Sequence, residues 1–410
     1  MVKEPGDRFE LTRAIGNTER VVYSMRELHD QDIICISSVD WEPLWTRKQQ
    51  VMSRLPASNR ILYVEPPVSW LSPFKDPACW EKWSRWREGI RRLNDNIFLL
   101  SPPVMPPFSN IYPWINRINQ AILARSVRNA AHSLGMKRPI LWTYLHSSAP
   151  LAGKLGEKLL VYDCVDEHSE YQGFNPRAVR AMERELLKKA DLVFVTAQGL
   201  YRDKAPYCRE IYLSPNAADV DHFMRADDPS TPPAPEMAEI SRPILGFIGA
   251  IKEWVDLDLL QQVAERRPDW TLVMIGPIGA GVDVSSLSRL PNVFFLGRRD
   301  RQVLPSYLKG FDVCLNPFRL NRLTETVSPL KFYEYLASGK PIASVPMPEI
   351  QDFADVVEFG SGPDGFVDAI ERALNDTPAK KAARLRRARE NSWESRVAFM
   401  MDKIAAHLEG

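Results

Sequence analysis

The sequence predicts an α/β protein built from two doubly wound parallel sheets, each belonging to its own domain. Three observations predict it. Short apolar runs alternate with helical patterns along most of the chain, and a proline-rich stretch splits those runs into two series. The length of 410 residues is also long for one core and suits two domains of ordinary size.

Taken in order, residues 1–31 are polar and weakly patterned, and read as an N-terminal tail or extension. The first series then runs through DIICISSV (32–39), RILYVEPP (60–67), NIFLLSPP (96–103), PILWTYL (139–145), LLVYDCV (159–165), DLVFVTA (191–197) and EIYLSP (210–215). Apolar runs interleaved with helices indicate a parallel sheet covered on both faces, which makes 32–224 a first domain. Within it, Trp80, Trp83, Trp86, Ile90 and Leu93 share one face of a helix, with Arg85, Arg87, Arg91 and Arg92 nearby. Such a helix either lies at a membrane interface or packs its aromatics into the core while the arginines face water. In 225–243, Pro229, Pro232, Pro233, Pro235 and Pro243 stand among acidic and small residues, the composition of a stiff linker.

A second set of strands begins at PILGFIGA (243–250) and ends near VVEF (356–359), which makes 244–390 a second domain. From Pro378 the chain is helical in two parts that break near Asn391, where Asn391 and Glu394 form a capping box. In the terminal helix (391–410), Trp393, Val397, Met400, Ile404 and Leu408 make a continuous apolar stripe.

Composition narrows the function classes. A formal net charge of +1 gives no global field for nucleic acid, which is not expected as a partner. The five cysteines are scattered without close pairs, against a zinc site or disulfide framework and in favour of a reducing cytosol. No apolar run reaches the ~18 residues of a membrane span, and no signal-peptide pattern opens the sequence.

The chemistry concentrates in ETVSPLKFYEYLASGKP (325–341). Ser328 and Pro329 form a helix-start pair, and Gly339 with Pro341 supplies the stop. Leu330, Tyr333 and Ala337 fall on one face for burial. Lys331 is out of place, because a cation in the first turn opposes the helix macrodipole. An anion at the helix end, held by backbone N–H groups and the ammonium, would account for it. Glu334, one turn on, would accept hydrogen bonds from hydroxyls of the same ligand, and phosphate followed by a polyol describes a nucleotide sugar. Taken alone, the pair is better explained as a solvated Lys–Glu contact on a surface helix.

The surrounding stretches reverse that balance. The segment resembles the donor-binding helix of GT-B glycosyltransferases of the family-4 type, especially bacterial members that build surface polysaccharides such as teichuronic acids. LSPNAADVDHF (213–223) resembles the family's Pro-Asn-Gly-Val-Asp…Phe segment, and GFIGAIKEWVDLDLL (246–260) its glycine loop and first nucleotide-domain helix. The likeness spans roughly residues 32 to 400 in family order. It implies a GT-B architecture, two Rossmann-like domains facing across a cleft, with the last helix crossing back to the first domain.

The resemblance also implies roles. Lys252 and Lys331 match the two basic residues that hold the donor's diphosphate, and Glu334 matches the ribose contact. Gly249, Ala250, Gly276, Thr326, Ser328, Pro329 and Leu330 complete the donor-binding set. GPIGAG (276–281) has the wrong glycine order for a dinucleotide turn, so it reads as a flexible loop near the nucleotide and no nicotinamide cofactor is expected. The family carries two glutamates eight positions apart; here Thr326 stands at the first position, and Glu325 beside it would take the sugar contact. On the acceptor side stand His146, Asp163, Asp166 and His168, each following a strand, with His146 and Asp166 as candidates to orient the acceptor hydroxyl or take its proton. Asp219 with Asp221, and Asp256 with Asp258, look like metal-binding pairs, but the first lies in the Pro-Asn segment and the second at a helix start, so capping explains them better and no metal is expected. The implied activity is hexosyl transfer from a nucleoside-diphosphate sugar, UDP and retention being favoured, to a glycan, lipid-linked or small-molecule acceptor. It would take place in the cytoplasm, with peripheral contact at the inner face of the membrane through 68–93 in the interfacial reading. A catalytically silent nucleotide-binding subunit and a nucleotide-sugar 2-epimerase are the alternatives.

Overall fold

The computed structural model describes residues 26–43, 45–75, 79–171, 173–322 and 324–409, so the expected N-terminal tail lies, up to residue 25, outside the described residues. The chain divides into two compact units, Met1–Pro215 with Glu394–Gly410, and Asn216–Trp393.

The first unit opens with β1 (Asp32–Ile36), α1 (Arg47–Met52), β2 (Arg60–Val64), α2 (Ser72–Lys75) and α3 (Cys79–Arg85). It continues through β3 (Ile90–Arg92), β4 (Ile97–Leu100), α4 (Pro113–Ser133), β5 (Ile140–Thr143) and β6 (Leu159–Cys164). α5 (Pro176–Lys189), β7 (Leu192–Val195), α6 (Gln198–Lys204) and β8 (Ile211–Leu213) complete the series. The eight strands lie in the order β3-β4-β2-β1-β5-β6-β7-β8. All pairs are parallel except β3 with β4. The central strands are buried throughout, as their unbroken apolar runs require of a sheet covered on both faces.

All seven apolar runs of the first series are strands, but β3 went unread. The helical face expected over 80–93 ends at Trp86: α3 gives way to a single 3-10 turn, Gly89 takes a positive φ of 71°, and Ile90–Arg92 pairs antiparallel with β4. Ile90 and Leu93 therefore do not continue a helical stripe. A left-handed glycine ends the turn, and the otherwise open edge of β4 captures the next three residues as a strand.

The second unit contains α7 (Val220–Met224), β9 (Ile244–Ile248), α8 (Leu257–Arg266), β10 (Thr271–Ile275), α9 (Ser285–Ser288) and β11 (Val293–Gly297). Next come α10 (Leu304–Gly310), β12 (Val313–Asn316), α11 (Leu330–Ser338), β13 (Ile342–Ser344), β14 (Glu358–Phe359), α12 (Gly362–Leu374) and α13 (Pro378–Glu390). The six-stranded sheet is parallel throughout, in the order β11-β10-β9-β12-β13-β14. Residues 225–243, which read as a linker, lie inside this unit. Ala234 and Met237 are buried in its core, and the Ala234 N–H donates to the Ser306 carbonyl at 3.1 Å. Ala226 is buried there as well, and Ile240 packs against the same core, so the apolar side chains of the stretch belong to this domain.

The chain returns to the first unit in α14 (Trp393–Glu409), where Val397, Met400, Met401 and Ile404 are buried. Asn391 is the C-cap residue of α13, two positions ahead of α14, and its side-chain amide donates back to the Arg387 carbonyl at 2.9 Å, closing the end of α13. Glu394 pairs with Arg54 at 2.7 Å. No helix among the described residues is long and apolar enough to cross a membrane.

Candidate functional site

In an open parallel sheet the strand order reverses at one point, and ligands bind beyond the carboxyl ends of the strands there. In the second unit that point lies between β9 and β12. The loop after β9 begins at Gly249, and the loop after β12 leads into α11. Tyr335 fastens the two together. The Ile248 N–H donates to its hydroxyl at 2.7 Å, and that hydroxyl donates to the Ile248 carbonyl at 3.2 Å. Both backbone groups at the end of β9 are thereby satisfied by one buried phenol, whose pKa burial pushes up.

One turn before Tyr335 on the same helical face comes Lys331. Its stem packs on Gly249, where an added Cβ would stand 3.7 Å from the lysine Cγ and 3.0 Å from the Phe247 ring. The ammonium remains partly exposed and donates to the Glu334 Oε2 at 2.7 Å, while Glu334 itself is buried. The structure thus brings Gly249, Lys331 and Glu334 together at the switch point. Half-exposed cation and buried carboxylate also depart from the solvated surface pair that those two residues suggest alone.

Gly276 ends β10 against the same loop. Its φ is +149°, and a Cβ there would fall 1.8 Å from the Gly249 carbonyl oxygen. The 276–281 stretch is pinned: the Ile251 N–H donates to the Pro277 carbonyl at 2.9 Å, and the Gly279 N–H to the Ile251 carbonyl at 2.8 Å. Lys252 follows, exposed, with its stem against Gly279 and its ammonium 5.0 Å from the centre of the Trp254 ring. Asp256 caps α8 by accepting from the Leu259 N–H at 3.1 Å. Asp219, expected to cap, instead holds the Arg301 guanidinium.

The helix start is shifted by one residue. Pro329 occupies the N-cap of α11, and the Ser328 side chain makes no cap. Ser328 is tied to Asn216, which sequence reasoning passed over. The Asn216 N–H donates to the Ser328 hydroxyl at 3.0 Å, and the Asn216 amide donates to the Ser328 carbonyl at 2.7 Å. The signal was the Pro-Asn pair in LSPNAADVDHF, whose asparagine stands beside the start of α11. Glu325 lies exposed in a single 3-10 turn (Thr324–Thr326), whereas Thr326 is buried.

In the first unit the strand order reverses between β1 and β5. His146 follows β5 and His168 follows β6, and their rings stand 4.8 Å apart. Both are buried, and both His146 nitrogens and the His168 Nδ1 find no hydrogen-bond partner among the described residues. Burial, with a smaller contribution from His168, lowers the His146 pKa to about 3. Burial, then Lys48, lowers that of His168 to about 4. Both rings are neutral at pH 7, and burial makes them weaker proton acceptors than a free imidazole. Asp166 is half-buried and accepts from the Tyr171 hydroxyl at 2.8 Å.

Asp163 stands apart from them. Wholly buried on β6, it accepts from the Arg47 Nε at 3.1 and 2.9 Å, and Arg47 also donates to the Ser214 hydroxyl at 3.0 Å and the Pro215 carbonyl at 3.2 Å. That carboxylate braces the domain. Lys48 was missed: it is buried in α1 with its ammonium 5.3 Å from the Tyr144 ring centre, and burial lowers its pKa against the opposing pull of Asp166 and Asp163.

Residues 242–376 match the family model described as glycosyl transferases group 1. A protein of Bacillus subtilis (strain 168) assigned by name to teichuronic acid biosynthesis as a glycosyltransferase, TuaH, is 27% identical over 278 residues, covering 63% of this chain and 69% of its own. Among solved structures, sucrose-phosphate synthase from Thermosynechococcus elongatus superposes with a TM-score of 0.66 at 15% identity, over 92% of this chain and 99% of that one. Anabaena HepE in complex with UDP gives 0.62 at 12% identity, over 92% and 100%. An Escherichia coli protein of trehalose-6-phosphate chemistry, bound with UDP-2-fluoro glucose, gives 0.62 at 11% identity, over 91% and 98%. At these identities the structural likenesses establish the shared fold.

Proposed function

We propose that this chain, a GT-B glycosyltransferase of the family-4 type, moves a sugar with retention from a uridine-diphosphate donor to a growing surface polysaccharide or its lipid-linked precursor. One observation carries the donor reading: Tyr335 locks α11 to the end of β9, which sets Lys331 and Glu334 beside Gly249 at the switch point. The nucleotides bound by HepE and by the Escherichia coli protein support uridine, and the relative from Bacillus subtilis supports the acceptor class.

As the glycosidic bond breaks, negative charge grows on the departing diphosphate oxygen. Lys331, Lys252 and the first N–H groups of α11 supply fixed positive charge there, which lowers the transition state more than the ground state. The chemistry therefore needs no metal. Glu334 holds Lys331 in place until the donor arrives, and then accepts from the ribose hydroxyls. Glu325 contacts the transferred sugar. His146 and Asp166 orient the acceptor hydroxyl, His146 as a neutral imidazole. All five cysteines are free thiols, which suits work in the reducing cytoplasm.

Donor hydrolysis without acceptor, read as release of nucleoside diphosphate, tests the reading. Lys331→Ala should cut it by about 10²–10³, the usual cost of losing one fixed charge on a developing anion. Thermal shifts with uridine, guanosine and thymidine diphosphate sugars identify the base, because a donor at 100 times its Kd stabilises the folded state by about 2.7 kcal/mol. Slow hydrolysis untouched by Lys331→Ala would overturn the site. A donor that binds and is never turned over would convert the chain into a silent nucleotide-binding subunit.

A further inference from the structure

The first unit carries an outer surface whose side chains the transfer reaction does not use. In α4 the inward face is buried through Ile115, Leu123 and Val127. A surface helix ordinarily turns polar residues outward. Here the outward face carries Trp114 and Ile118 at i and i+4, with Trp114 62% exposed, and half-buried Ile122 continues from it onto the core. Arg117 and Arg125 flank that stripe, exposed.

A second segment joins it. The chain at 68–70 bonds to Met105, with the Met105 N–H donating to the Val68 carbonyl at 2.9 Å and the Trp70 N–H to the Met105 carbonyl at 3.2 Å. Leu71, Phe108 and Asn119 of α4 line one hollow of about 220 Å³, so the two segments are continuous. Around it Trp70, Phe74, Trp80 and Phe108 are exposed, Phe74 by 77%. The Phe74 and Trp80 rings meet edge to face at 6.1 Å, so the aromatics hold one another outward instead of entering the core. Farther along, Trp86, Ile122 and Arg125 border a groove of about 570 Å³. Arg87, Arg117 and Arg125 form no ion pair with a carboxylate among the described residues.

We propose that this face docks on the headgroup layer of an anionic bilayer. Free arginines among exposed tryptophans match that layer, where indoles take the apolar–polar boundary and guanidinium groups meet lipid phosphates. A protein partner would be expected to need carboxylates to meet those arginines, whereas an anionic membrane offers negative charge everywhere. Of the two readings the sequence left open for 68–93, this selects the interfacial one. The burying helical stripe it competes with is not formed, and α4 supplies half the surface.

Flotation of the full chain tests it, with vesicles of phosphatidylcholine alone and of phosphatidylcholine with phosphatidylglycerol. The protein should float with the anionic vesicles and bind the neutral ones at least tenfold more weakly. Removing arginines should weaken anionic binding about fivefold each, on the order of a hundredfold for Arg87→Gln, Arg117→Gln and Arg125→Gln together. Trp114→Ser with Ile118→Ser should abolish flotation while leaving the melting temperature and donor hydrolysis unchanged. Failure of the parent to float on either vesicle overturns the proposal, as does unaltered binding by both variants. A parent that dimerises in solution, with the Trp114/Ile118 variant monomeric, also overturns it by assigning the face to a second copy.

Discussion

At Gly276 a single methyl group decides whether two loops can coexist. The added carbon would sit 1.8 Å from the Gly249 carbonyl oxygen, and the backbone φ of +149° already excludes an L side chain. Gly276→Ala should therefore cost more than the ~1–3 kcal/mol of ordinary overpacking, read from urea denaturation. Because the displaced atom belongs to Gly249, donor affinity should fall beyond what lost folding explains, which calorimetry on the folded fraction would show. The two imidazoles give a pH prediction. The unfolded chain protonates them near 6.5, while burial holds the folded values at about 3 and about 4. Between those limits the unfolded chain binds protons that the folded one refuses, so stability falls as pH falls below 6.5. Glu183, Glu167, Lys204 and Lys48 are the charged groups that act on the pair. His146→Gln should flatten the fall in melting temperature between pH 7 and pH 4.5; an unchanged slope would remove the histidine from the argument. Lys331 was legible beforehand because a cation in a first turn breaks a local rule. Lys48 was not, since RKQQVM carries no periodicity and the groups it meets, Tyr144, Asp163 and Asp166, lie far along the chain.

Elements are held by charges that local pattern does not reveal. Lys204 at the end of α6 donates to Glu167 at 2.6 Å and to Glu183 of α5 at 2.7 Å, and all three are buried. Burial opposes the charge on Lys204, yet Glu183, Cys164 and Glu167 outweigh it and raise the pKa. Lys204→Met would leave two buried carboxylates without their cation, a loss of about 3–5 kcal/mol. For a unit of this size the melting temperature should drop by roughly 6–20 °C, and Lys204→Met with Glu167→Gln and Glu183→Gln should recover much of it. A drop that persists in the triple variant would trace the loss to packing. Strands were the legible elements, because parallel sheets demand unbroken apolar runs of a kind that helices on a surface do not show. The misread elements share one cause. β3 and the start of α11 are both set by partners outside the local pattern: a sheet edge and Asn216.

At the scale of the whole molecule, the first unit is discontinuous: its last 17 residues follow the entire second unit in sequence. α14 is built into that unit's core through Val397, Met400, Met401, Ile404 and Ala405. It also meets the buried ion pair, since Arg47, which holds Asp163, has the Met400 sulfur at 3.6 Å. At the rim Glu394 pairs with Arg54, and His407 with Glu210 at 3.1 Å. Four large apolar side chains at about 1.5–3 kcal/mol each make an upper estimate comparable to the ~5–15 kcal/mol by which a domain is stable. Ending the chain after Trp393 should therefore unfold the first unit although every one of its strands is still present. The second unit keeps its sheet, Trp393 and the Lys331–Glu334 pair, so it should still bind nucleoside diphosphate. Hydrogen exchange would show amides of β1, β5 and β6 losing protection while those of β9 and β10 keep theirs, and turnover would vanish with donor binding intact. Equal loss of protection in both sheets would mean that the two units fold as one, with the terminal helix serving the whole chain.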